Sequence, residues 1–217
     1  AARIDDPRRI PDAVQEAFRH LNTGRPRPVE IEMPLDTLAE TADLELLEPG
    51  MYERVAASHD SVMACARALA GSERAVIWAG GGAVSSGASA ALERVAEHLQ
   101  APVVATHEGK GSVSDRSYLS LGAPNFRPDP LDDYVARCDV VLAVGTRLAR
   151  TAFTDGQKIV QIDEDADEIG RNYPNTMGVQ GDARRTLEEL HGALASLGPA
   201  RPGRRREFEA IRAARDD

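Results

Sequence analysis

The chain has 217 residues, 42% of them hydrophobic and 28% charged, and its 26 basic against 35 acidic side chains leave a net charge of −9. That balance supports a packed core and excludes a disordered chain. An acidic surface repels phosphate backbones and anionic membranes, so neither nucleic acid nor a membrane is expected as a partner.

The first segment reads as a helix. Ile10, Val14, Ala17, Phe18 and Leu21 share one helical face, Pro11 sits near the first turn, and Asn22 to Gly24 form the stop. GRPRPVEIEMPLD follows, with a short strand expected over 29–33 between prolines. One helix and one strand cannot bury their own apolar faces, so residues 1–36 must pack on something else. The acidic, weakly patterned stretch 37–50 reads as a linker.

The main body is expected over 51–198. Ser58 is a candidate cap for a helix with Val62, Cys65, Ala66 and Leu69 on one face. RAVIWAGGG then gives a short apolar run closed by three glycines, and Ala88, Ala91, Leu92, Val95 and Leu99 mark a second helix. PVVAT, DVVLAVG, KIVQID and MGVQGD are further buried-strand candidates rich in β-branched residues. Leu187, Leu190, Leu194 and Leu197 stripe a last helix, with Asp182 placed to cap it. Short apolar strands alternating with amphipathic helices imply an α/β, Rossmann-like domain, a parallel sheet of about six strands flanked by helices. Residues 199–217, with a basic cluster at Arg204 to Arg206, read as a solvated linker plus a frayed helix.

Chemistry is expected where strands end. The turn Gly80-Gly81-Gly82 follows a strand and opens a helix, a place where backbone amides can receive a phosphate. The spacing is not G-x-G-x-x-G, however, and glycines in such a turn can equally serve tight packing. Asp163, followed by Glu164, ends KIVQID, where an acid can bind ribose hydroxyls or merely cap the next helical turn. Arg147 follows DVVLAVG and is suited to a phosphate, a flat ring or a surface ion pair. Thr106, His107 and Lys110 follow PVVAT at the same edge, but no nucleophile with supporting partners accompanies His107. Cys65 and Cys138 lie far apart and form no CxxC unit, so neither a zinc site nor a disulfide framework is expected, and the cytoplasm is the expected compartment.

Taken in order, GRPRPVEIEMPLD, RAVIWAGGGAVSSGASAALERVAEHLQAPVVAT, HEGKGSVSDRSYLSLG, DVVLAVGTRL, KIVQIDEDADEIGRNYP and MGVQGDARRTLEEL span roughly residues 10–197. They resemble the middle domain of thiamine-diphosphate-dependent enzymes of the acetolactate synthase, benzoylformate decarboxylase and glyoxylate carboligase group. The resemblance implies a parent acting on 2-oxo acids with thiamine diphosphate and Mg2+, and oligomeric contacts in that parent. Residues 1–36 would close its pyrimidine-binding domain, and 199–217 would lead toward its diphosphate-binding domain. Such middle domains hold FAD, an ADP moiety or nothing. By resemblance a nucleotide would lie against Gly80, Gly81, Gly82, Thr106, Arg147, Asp163 and Glu164, with Asp182 nearby. The family's Gly-Asp-Gly diphosphate motif is not matched, because Gly181-Asp182 is followed by Ala183, and no asparagine comes after Asn175. Catalysis is therefore not expected from these residues alone. TRLARTAF departs from flavin-binding members, and APNFRPDPLDDYV lacks the glycine-rich, small-residue character common in true acetolactate synthases. A free-standing NAD-binding enzyme of sirtuin-like fold is the alternative; it predicts a zinc-binding cysteine set.

Overall fold

The computed structural model describes residues 1–125, 127–149 and 151–216. Phe126, within APNFRPDPLDDYV, and Arg150, within TRLARTAF, lie outside the described residues. The chain divides into two compact units, Ala1–Arg54 and Val55–Asp217.

In the smaller unit, strand β1 (Ala2–Arg3) pairs in parallel with β2 (Ile31–Glu32), at Ala2 with Ile31 and Arg3 with Glu32. β1 is two residues long, too short to show any alternation. Helix α1 (Ile10–Asn22) ends at Thr23 as expected. Its apolar stripe is largely uncovered: Ala17 is buried, whereas Val14, Phe18 and Leu21 are 39%, 55% and 38% exposed. Helix α2 (Leu35–Ala39) occupies the start of the expected linker before the chain runs on without regular structure.

The larger unit is a six-stranded, all-parallel sheet. Its strands are β3 (Ala75–Ala79), β4 (Val103–Ala105), β5 (Ser120–Gly122), β6 (Val140–Val144), β7 (Lys158–Asp163) and β8 (Met177–Gln180), in the spatial order β5-β4-β3-β6-β7-β8. β3 and β6 lie at the centre and every residue in them is buried, as continuous apolar runs require when both faces are covered. β5 was not legible as a strand. It is an edge strand of three residues, and its register with β4 shifts between Val103 and Val104.

Helices α3 (His59–Ala70), α5 (Ser89–Leu99) and α7 (Ala183–Leu197) pack together through the stripes read from the sequence. Val62, Cys65, Ala66 and Leu69 are buried, as are Ala91, Leu92, Val95 and Leu99, and Leu187, Leu190 and Leu194. Leu197 alone fails, 42% exposed where α7 stops. Ser58 caps α3 by accepting from the Ser61 amide, and Asp182 caps α7 by accepting from the Arg185 amide at 3.0 Å. Two short helices complete the unit, α4 (Gly81–Ser85) and α6 (Pro130–Ala136).

The C-terminal segment corrects an expectation. Instead of a solvated linker with a frayed end, it forms α8 (Arg205–Asp216), and Phe208 is fully buried in the main core. Phe208 stacks on Tyr118 and meets Tyr134 edge to face. Periodicity misses this because most of what holds α8 is arginine.

Where α5 meets α7, His98 and His191 lie edge to face with ring centroids 5.9 Å apart. Burial, His191 and nearby Arg201 hold the His98 pKa below its ordinary value. The folded protein therefore binds that proton less readily than the unfolded chain, and stability is full above about pH 6.5 and declines as the pH falls below it. Urea midpoints at about pH 7.5 and about pH 5.5 should differ more for the wild type than for His98→Gln. Equal differences would show that His98 carries none of the effect.

Candidate functional site at the carboxyl edge of the sheet

A parallel sheet presents its ligand crevice beyond the carboxyl ends of its strands, at the point where strand order reverses. Here the chain first builds outward through β3, β4 and β5 and then restarts at β6, so the reversal lies between β3 and β6. The residues singled out by sequence line that edge in spatial order. Thr106 follows β4, Gly80 to Gly82 follow β3, Arg147 follows β6, Asp163 and Glu164 close β7, and Asp182 follows β8.

Two of the three glycines, Gly80 and Gly82, pack closely against the turn after β6. A Cβ on Gly82 would stand 2.7 Å from the Gly145 Cα, and one on Gly145 would stand 2.5 Å from both the Ala83 nitrogen and the Gly82 Cα. Gly145 also holds φ at +56°, the left-handed region that side chains resist. The turn after β3 and the turn after β6 thus touch backbone to backbone, directly at the reversal point. Gly81 differs, since a Cβ there would face the Glu108 side chain at 3.2 Å.

Several amides along this edge are also engaged. Gly80 N–H donates to Val144 O, Gly82 N–H to Gly145 O, Thr106 N–H to Ala79 O, Gly145 N–H to Ile162 O, and Gly181 N–H to Asp163 O, all between 2.8 and 3.0 Å. The parallel ladder simply runs one step past the strand ends. α4, with five residues, is too short to offer a helix terminus of much strength.

The remaining candidates divide. Thr106 Oγ1 accepts from the Gly109 amide at 3.0 Å, fixing its own loop. Asp163 accepts from the Asp165 amide at 3.1 Å, and Asp165, not Asp163, caps the short 3-10 turn Ala166–Glu168. Asp182 is 3% exposed and engaged as the α7 cap. Glu164 is half-buried and its carbonyl accepts from Gln180. Arg147 is exposed at the reversal point, and its carbonyl accepts from Asn172 at 2.7 Å. His107 and Lys110 are exposed on the β4–β5 loop.

Sequence reasoning missed Gln161, the one polar residue inside the apolar run of β7. It is 2% exposed; its amide nitrogen donates to Thr146 O and Glu168 O, and its oxygen accepts from the Gly170 amide. One buried amide thereby ties the loop after β6 to the loop after β7. Across the register Trp78 pairs Ala143 and Ala143 pairs Gln161, so the three share a face. Trp78 meets Phe153 edge to face at 5.2 Å, and Phe153 meets Tyr173 at 5.6 Å. This aromatic group therefore packs on the face that Trp78 presents. A polar residue within a strand of otherwise apolar character was the available signal.

Cys65 and Cys138 are both buried, and burial pushes each thiol up to about 12. Both stay protonated at neutral pH and neither is a nucleophile or metal ligand as it stands.

Residues 62–190 match the family described as thiamine pyrophosphate enzyme, central domain. The chain belongs to that family. Among relatives of this chain, a probable acetolactate synthase large subunit from Methanocaldococcus jannaschii is 35% identical over 209 residues, covering 90% of this chain and 35% of the relative. Glyoxylate carboligase from Escherichia coli O157:H7 is 31% identical over 203 residues, covering 88% of the chain and 34% of the relative. The chain also superposes on benzoylformate decarboxylase from Polynucleobacter necessarius with a TM-score of 0.79 at 18% identity, over 93% of this chain and 39% of the other, a likeness of fold. The chain spans about a third of the length of the curated relatives it matches. Nothing in these matches supports the sirtuin-like alternative, and the separately buried cysteines do not form the zinc set it predicted. Among the described residues no helix is long and apolar enough to cross a membrane.

Proposed function

We propose that this chain is the central structural domain, with flanking segments, of a thiamine-diphosphate-dependent 2-oxo-acid decarboxylase or carboligase, working in the cytoplasm as part of an oligomeric parent. The observation that carries this reading is the family match over 62–190 combined with relatives named acetolactate synthase and glyoxylate carboligase. Residues 1–36 form the closing part of a pyrimidine-binding domain. The exposed Val14, Phe18 and Leu21 support that assignment, because they supply an apolar face suited to the rest of such a domain.

In this reading the central domain supplies architecture, and the thiamine diphosphate and Mg2+ belong to the neighbouring domains of the parent. Asp182 is committed to capping α7 and is followed by Ala183, so the residues here do not fit a diphosphate–metal site. A second reading, in which FAD or an ADP moiety rests on the carboxyl edge, is favoured by the exposed Arg147 beside the glycine turns. It must obtain its anion contacts without the amides of Gly80, Gly82 and Thr106, which the sheet already uses.

A thermal-shift titration against FAD, ADP, NAD and thiamine diphosphate with Mg2+ separates these readings. A ligand that binds only the folded protein adds about 2.7 kcal/mol at 100 times its dissociation constant. The expected result is an unchanged Tm with thiamine diphosphate and with NAD. A rise with thiamine diphosphate would sink the architectural reading, whereas a rise with FAD or ADP, removed by Arg147→Ala, would establish the nucleotide site.

A further inference from the structure

We propose that residues 201–216 form a clasp over the β5 edge of the sheet, and that this clasp, β5, α6 and the loops on either side of β5 open and close as one cooperative unit while the rest of the sheet stays folded. Every residue involved belongs to the larger unit, and the clasp does not depend on what the carboxyl edge binds.

The clasp is pinned at both edges of the sheet, mostly by arginines to backbone carbonyls. At the amino edge, Arg201 donates to Leu69 O and Ser72 O, each at 2.7 Å, and to Ser72 Oγ at 3.0 Å. The Arg204 amide donates to Gln100 Oε1, which also accepts from the Tyr118 hydroxyl. Glu207 bridges Arg74, just before β3, and Arg204. Further along, Arg212 donates to Asp115 O and Ser117 O at 3.1 Å. At the carboxyl edge, Arg215 donates to Leu121 O, to Ala123 O and to Asp129.

Asp129 joins this clasp to α6. Its side chain accepts from the Leu131 amide at 2.6 Å within a capping box, from Asn125 at 2.6 Å, and from Arg215 in a pair only 11% and 9% exposed. β5, three residues long and irregularly registered, hydrogen-bonds to β4 on one side and has α8 against it on the other. Loss of α8 therefore removes the second support of β5, the anchors of 115–117 and 121–123, and a partner of the α6 cap together. Local units with few backbone ladders and many side-chain pins open at lower free energy than a central parallel sheet.

Hydrogen exchange on the intact chain tests this. In Arg212→Ala/Arg215→Ala, amides in 112–136 and 201–216 should exchange about tenfold faster or more, as expected on losing charge-assisted bonds. Amides of β3, β6 and β7 should keep their protection. Faster exchange confined to 201–216 would overturn the proposal, and so would a uniform rise across the sheet. Should the double variant fail to fold, the wild type at sub-denaturing guanidinium gives the same answer. Both regions must then open on a shared isotherm below that of the central strands, and separate isotherms refute a single unit.

Discussion

Gly145→Ala should destabilise the protein by about 3–5 kcal/mol, measured as a shift in the urea midpoint. Two costs add. A left-handed backbone at φ +56° penalises any Cβ by about 1–2 kcal/mol. That Cβ would then press at 2.5 Å on the Ala83 nitrogen and Gly82 Cα, and because both are backbone atoms, neither can swing aside. Gly87→Ala isolates the first cost, since Gly87 has φ +67° but open space where a Cβ would go, and about 1 kcal/mol is expected. Gly192→Ala should go the other way. It lies within α7 with nothing near its missing side chain, so alanine should stabilise by about 0.5–1 kcal/mol. If Gly145→Ala cost no more than Gly87→Ala, the backbone contact between the two turns would not be the reason for glycine there.

Phe208→Ala should cost about 3–5 kcal/mol, the usual range for emptying a buried aromatic site. The ring has no exposed surface, its stacking distance to Tyr118 is 6.4 Å, its edge-to-face distance to Tyr134 is 5.9 Å, and the Arg204 guanidinium lies 5.6 Å from its centre. A solvated linker would predict a change within about 0.5 kcal/mol, so the measurement separates the two descriptions. Phe18→Ala on α1 is the comparison, because that ring is 55% exposed and loses little on truncation.

The parts of the fold that were legible are those where one residue type decides burial. AVIWA and VVLAV read as central strands because both faces must be apolar, and the α3, α5 and α7 stripes read as helices because a single face must be. β5 was illegible because Ser-Leu-Gly carries no alternation, and it is a strand only by virtue of β4 and α8 beside it. The docking of α8 was illegible for a different reason. Arginine in a sequence signals solvent, yet Arg201, Arg212 and Arg215 spend their donors on carbonyls of distant segments. At the carboxyl edge the position of the glycine turn was plain, but its purpose was not. Gly82 and Gly145 are far apart in the chain, and only the pairing of β3 with β6 brings their backbones together.

The larger unit has its beginning and its end on opposite flanks. Val55 O accepts from the Asp182 amide at 2.7 Å, which sets the incoming chain beside β8, and α8 lies along β5. Between those strands run five inter-strand steps, about 24 Å at the ordinary spacing of a sheet. The distance between those two flanks is thus counted in strands. Lengthening a loop within the unit would leave that span unchanged, whereas adding or deleting one strand would alter it by about 5 Å.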